Sequence, residues 1–218
     1  MANRFCLGIF VVQLTVLCAW ADPVRPQPLN IYLYNKARVP SGVLTLAEES
    51  ATRIFRLSGV QAIWVNCSIG GSDGTNCAGA RQPSDIIVQI VPETRQLKGD
   101  VFGVAFLGKD GAGQYTDIYY NRLEELRRDW KVALEEVLAH VIAHEIGHLL
   151  LGLNAHSNMG IMRGVWETDE LRRLERGRLF FSSEQAERMK RRLAMVPENN
   201  SVASSRQTKR NLEWRSSL

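Results

Sequence analysis

The sequence predicts an α/β (α+β) fold: a mixed five-stranded sheet, a backing helix, a longer second helix beneath the sheet, and a small C-terminal helical subdomain. Three observations carry this reading. The chain opens on a strand–helix–strand pattern, and a right-handed crossover makes such strands parallel. Three further short apolar runs follow, separated by turn residues. From about Trp130 the apolar period changes from that of a strand to the 3.6 residues of a helix. A length of 218 residues admits one domain, or one domain with a small second lobe, around a substantial core.

The elements follow in order. LNIYLYN (29 to 35) alternates, so Ile31 and Leu33 face one way and Tyr32 and Tyr34 the other. Ser41 is placed to cap a helix to about Leu57, with Val43, Leu46, Ala47, Ile54 and Leu57 roughly on one face and Gly59 just past its end. VQAIWVNC (60 to 67) predicts the second strand, and a loop dense in Gly, Ser and Asp follows it. IIVQIV (86 to 91), VFGVAFLG (101 to 108) and YTDIYY (115 to 120) predict the remaining three strands. In the long helix Val132, Leu134, Val137, Leu138, Val141, Ile142, Ile146 and Leu149 cover much of the circumference, as in a helix buried under a sheet, and Gly152 is its natural stop. A last helix begins in FSSEQAERMKRRL, with Ser182 or Ser183 as cap and Glu184 or Glu187 completing the first turn.

Residues 1 to 21 do not belong to the fold. A short basic start at Arg4, an apolar run and Ala19-Trp20-Ala21 form a signal peptide with cleavage after Ala21, which implies a secreted or periplasmic protein. No later segment approaches the twenty apolar residues of a membrane span, so no stable membrane insertion is expected after cleavage. The mature domain is expected over 22 to 197, divided into an upper lobe with the long helix (22 to 152) and a lower lobe (153 to 197), with a disordered polar tail over 198 to 218. Almost no chain separates Ala21 from the first strand, so an inhibitory pro-segment is not expected. Cys6 and Cys18 leave with the signal, and the remaining pair, Cys67 and Cys77, predicts one disulfide in an exported chain. Formal charge is +4, with acids interspersed among the arginines from Arg163 to Arg192; no basic stripe carries interleaved aromatics, so nucleic-acid binding is not expected.

All four histidines lie in HVIAHEIGHLLLGLNAHSNMGIM (140 to 162). His144 and His148 are four apart, on one face of the predicted helix, where both imidazoles reach a single ion, and Glu145 adjoins the first of them. This is the HExxH spacing of a zinc hydrolase, in which the glutamate serves as general base toward a water of lowered pKa. An unpaired Glu and two His inside an otherwise apolar helix are costly, and a zinc ion resolves that cost. His140 lies another four residues back; eight residues of helix rise about 12 Å, so it is read as a buried supporting residue and not a ligand. The third ligand must come from elsewhere. After Gly152 the chain can turn back to present His156, while Glu167 or Glu170 in WETDEL would serve as in gluzincins.

HEIGH, the helix-ending Gly152, the following His156-Ser157 and then Gly160 to Met162 resemble the metzincin superfamily of zinc peptidases, with the variant spacing HExxHxxxGxxxH. The resemblance implies a zincin lobe in which His144, His148 and His156 bind one Zn²⁺, Glu145 is the base and Met162 underlies the site as the methionine of the Met-turn. It also makes the strand at 101 to 108 the edge beside the cleft, where Gly103 and Ala105 would let a substrate backbone approach and Trp166 would help to form the wall below the ion. The expected function is a secreted zinc metallopeptidase acting as an endopeptidase on peptide or protein substrates. The contrasting reading is a secreted zinc-binding module without turnover.

Overall fold

The computed structural model describes residues 26–67, 77, 82, 84–93 and 101–195. The predicted signal peptide and polar tail lie outside the described residues. Five strands, β1 (Leu29–Asn35), β2 (Ala62–Cys67), β3 (Asp85–Val91), β4 (Gly103–Phe106) and β5 (Tyr115–Tyr119), form one mixed sheet in the order β2-β1-β3-β5-β4. Only β4 runs antiparallel, pairing Gly103 with Ile118 and Phe106 with Tyr115. Parallel strands need long crossovers, and α1 (Ser41–Leu57) supplies the first of them, between β1 and β2. The alternation in β1 works as expected: Leu29, Ile31 and Leu33 are buried against the helices, together with Ile86, Val88, Ile90 and Ile118 from the neighbouring strands.

Helix α1 begins at Ser41 itself, with Pro40 in the cap position and no side-chain cap bond, so Ser41 is not the cap. Its packed face is Ala47, Ala51, Ile54 and Phe55; Leu46 and Leu57, which the spacing put on that face, are exposed. Ahead of the helix predicted from about Trp130 stands another, which the apolar spacing did not predict. α2 (Tyr120–Trp130) continues directly from β5 and buries Leu123 and Leu126, then Lys131 adopts a left-handed conformation and breaks it. α3 (Leu134–Leu151) follows, buried on almost every side because α1, α2, β4 and α5 all pack on it.

Gly152 ends α3 with φ +80° and its N–H on the His148 carbonyl, a conformation that favours glycine. The Arg188 guanidinium adds a 2.9 Å bond to the Leu151 carbonyl, satisfying another orphan acceptor of the helix end. α4 (Thr168–Glu175) was not anticipated as a separate helix. α5 (Ser183–Ala194) is capped by Ser182, and Gln185, not Glu184 or Glu187, closes the box: the Ser182 hydroxyl accepts from Gln185 N–H and the Gln185 amide oxygen accepts from Ser182 N–H. Cys67 and Cys77 form a disulfide with a Cα separation of 5.7 Å, and the Tyr34 hydroxyl donates to the Cys77 carbonyl beside it. No helix among the described residues is long and apolar enough to cross a membrane.

Candidate metal centre

Helix α3 lays His144 and His148 one above the other, with ring centroids 4.9 Å apart. Beyond Gly152 the chain doubles back and brings His156 to 5.6 Å and 4.6 Å from those rings. One nitrogen from each of the three histidines lies within 4.8 Å of the others. The return loop is held by backbone: Ser157 N–H donates to the Met162 carbonyl, and Ile161 N–H to the Phe180 carbonyl. The segment before α5 therefore steadies the loop that carries His156.

The tautomer of His144 follows from its partner. Its Nδ1 lies 2.6 Å from the Ile161 carbonyl oxygen, which can only accept, so Nδ1 carries the proton and Nε2 keeps its lone pair. That Nε2 faces His148 Nε2 at 3.1 Å. Burial, the largest cause, and the neighbouring imidazoles lower the pKa of His148 to about 4; burial likewise lowers His144 to about 4, against the opposing pull of the Ile161 carbonyl. Both rings are neutral near pH 7. Two neutral imidazoles directing Nε2 at one point, with a third within reach, are a donor set of the type that binds zinc.

Glu145 points away from the rings' backbone contacts toward the edge of the sheet and is 6% exposed. Burial raises its pKa to about 8, and a hydrogen bond from Ala105 N–H, on the outer edge of β4, works in the opposite direction. Gly103 has a role that spacing did not reveal. A Cβ at this position would stand 2.8 Å from Glu145 Cγ and 2.9 Å from the Asp117 carbonyl oxygen, so the missing side chain makes room for the carboxylate arm. Gly147 plays the same part on the opposite side of α3, where a Cβ would meet Met162 Sδ at 2.5 Å and Phe181 Cε1 at 2.9 Å. Met162 is fully buried there, directly under the helix.

Trp166 stacks on Phe102 at 6.4 Å, sits edge-on to His144 at 5.8 Å, and donates its indole N–H to the same Ile161 carbonyl that holds His144. Glu167 and Glu170 do not join the histidines. Their carboxylates each receive a 2.8 Å bond from Arg163, and Glu170 also accepts from Glu167 N–H at the start of α4. His140 is fully buried with Nδ1 on the Glu136 carbonyl, 2.7 Å away, outside the three-histidine group. A cavity of about 590 Å³ opens beside the site, bordered by β4, the three histidines and Glu145, Trp166 and the inward face of α2.

No protein-family model matches the chain, and no curated protein does. Among solved structures it is similar to archaemetzincin from Methanopyrus kandleri, at 21% identity over 76% of this chain and 96% of that one, with a TM-score of 0.46. It is also similar to metalloproteinase-II from Bacteroides fragilis, at 15% identity over 77% of this chain, with a TM-score of 0.44; the match spans 54% of that protein. Likeness at this level leaves the chemistry to be read from the site itself.

Proposed function

We propose that this protein is a zinc-dependent endopeptidase, exported from the cell, in which His144, His148 and His156 hold the metal and Glu145 is the general base. The observation that carries the reading is the convergence of three imidazoles on one point beside a buried carboxylate that touches an open strand edge. The chemistry a bound zinc supplies is acidification of a water molecule and polarisation of a carbonyl. The rest falls to the chain. Ile161 fixes the tautomer of His144 through its carbonyl, so that Nε2 is the ligating atom. The outer edge of β4, where the Ala105 N–H already serves Glu145, offers the Ala105 carbonyl to an extended peptide, which would add to the sheet as a further strand. Glu145 takes the proton of the attacking water and returns it to the departing amine. Met162, buried under Gly147, is read as the methionine of a Met-turn, and the Cys67–Cys77 disulfide suits an oxidising compartment outside the cytosol.

The test is made on the chain from Asp22 onward. One equivalent of zinc after dialysis, with peptidase activity lost in 1,10-phenanthroline and regained on adding zinc, is the expected result. Glu145→Gln keeps the shape of the side chain without its basic oxygen, so zinc should stay while activity falls by about 10²–10⁴-fold. Zinc bound by both proteins with no cleavage by either points instead to a binding module; no zinc in either removes the metal site.

A further inference from the structure

We propose that the α2 side of the cavity receives a lysine or arginine side chain next to the scissile bond, with Asp129 as its charge partner. The peptidase reading supplies the reason such a peptide is held; the recognition itself depends only on the residues of this cavity. From the histidines the cavity passes Val141, three residues before His144, and reaches the face of α2 that carries Leu126, Asp129 and Trp130. Its walls there are apolar in part: Leu126, Val141 and Leu171 are buried in the core and Trp166 packs against it, beside the paired Arg122 and Glu125. Such walls suit a methylene stem, which loses nothing by leaving water.

The charges of the lining decide what belongs at the end of that stem. Arg163 is held by Glu167 and Glu170, and Arg122 lies 3.0 Å from Glu125. Apart from Glu145, Asp129 is the lining charge that has no salt bridge among the described residues. It stands next to the last residue of α2, where the unsatisfied carbonyls of the final turn already make the potential negative. Asp129 is exposed at this end, and a cation placed beside it would be favoured by both the carboxylate and the helix end. Arg127 and Arg128 occupy the same turn but do not line the cavity. Trp130 does line it, and an indole face beside a carboxylate is a setting for an ammonium or guanidinium group. Apolar walls, an unanswered carboxylate, a negative helix end and an indole thus coincide in one cavity.

The test uses two readouts on one peptide series, with lysine, norleucine or glutamate placed on either side of a central bond. Norleucine has the same unbranched stem without the charge. Affinity is measured by calorimetry on zinc-loaded Glu145→Gln, and cleavage on wild type. Lysine should be favoured over norleucine by about tenfold on one side of the bond. Asp129→Asn should bring lysine to within twofold of norleucine while leaving norleucine unchanged, and Asp129→Lys should favour glutamate. Equal treatment of lysine and norleucine, or a preference that survives Asp129→Asn, overturns the proposal. Peptides cut without a lysine preference leave the peptidase reading intact while refuting this one. Lysine-selective binding with no cleavage by wild type does the reverse, and no binding of any peptide refutes the proposal as well.

Discussion

Placing a methyl group on Gly103 should displace Glu145, the base proposed above, without touching any of the three candidate ligands. In Gly103→Ala the new Cβ would lie 2.8 Å from Glu145 Cγ and 3.1 Å from Cδ, whereas carbon atoms pack at about 3.5–4.0 Å, so the shortfall is about 0.7–1.2 Å. Helix α3 is enclosed by the core, while β4 pairs on one side only among the described residues, so the strand and the carboxylate arm must yield. Overpacking of this kind costs about 1–3 kcal/mol, offset by about 0.4–1 kcal/mol from the reduced freedom of the unfolded chain. A net loss of about 1–2 kcal/mol in urea unfolding is expected. Zinc stoichiometry should hold, and a carboxylate misplaced by about 1 Å should lower turnover by about 10²-fold. Glu145→Ala removes Cγ and Cδ and leaves the Asp117 carbonyl, 2.9 Å from the added methyl. In that background Gly103→Ala should cost at least about 0.5 kcal/mol less, which a double-mutant cycle measures. An equal cost in both backgrounds, or turnover within twofold of wild type, would refute the reasoning.

Three other outcomes follow. His144→Ala, His148→Ala and His156→Ala should each abolish stoichiometric zinc, while His140→Ala, Glu167→Ala and Glu170→Ala keep it; zinc retained in His156→Ala but lost in either glutamate variant would move the third ligand to α4. Burial lowers the pKa of His140, so below about pH 6.5 the unfolded chain takes up a proton that the folded one refuses. Its contribution to stability is therefore whole above that pH and is lost as pH falls toward the lowered value, by at most about 1.4 kcal/mol per pH unit; the slope should shrink in His140→Gln followed by urea titration. Thiol titration of the denatured, unreduced chain from Asp22 onward should find no free thiol, since Cys67 and Cys77 are joined; two thiols would contradict the bridge.

The strands could be read from the sequence because one face of the sheet is buried, which imposes the period of two on β1, and because β3 lies at its centre. The spacing of His144, Glu145 and His148 was equally open, since it depends only on helical geometry. What stayed hidden depends on tertiary contact. Leu123, Leu126 and Trp130 do mark α2, but they sit in a charged run that continues from β5 without a turn residue, so nothing announced a boundary. α4 follows Glu167, an unusual cap, and is eight residues long. Gly147 offered one hint, because glycine inside an apolar helix costs about 1 kcal/mol relative to alanine and invites a packing reason. Its partner Met162 lies a full turn and loop away, and the partner of Gly103 lies on another element altogether. The fixing of Glu167 and Glu170 by Arg163 is likewise a fact of the folded chain and has no local signature.

The tie between Ile161 and Phe180 sets the order in which the site can come into being during synthesis. Ile161 orients His144 through its carbonyl, and its own N–H is anchored on a residue that leaves the ribosome later than every histidine. Arg53 reaches across from α1 to bond the Gly177 carbonyl, and Phe181 packs near Gly147, so this late segment is docked to parts of the chain made much earlier. At about 5–20 residues per second, the stretch from His156 to Phe181 takes roughly one to five seconds to make. Throughout that interval the nascent chain carries all its candidate ligands but lacks the brace behind the carbonyl that orients His144.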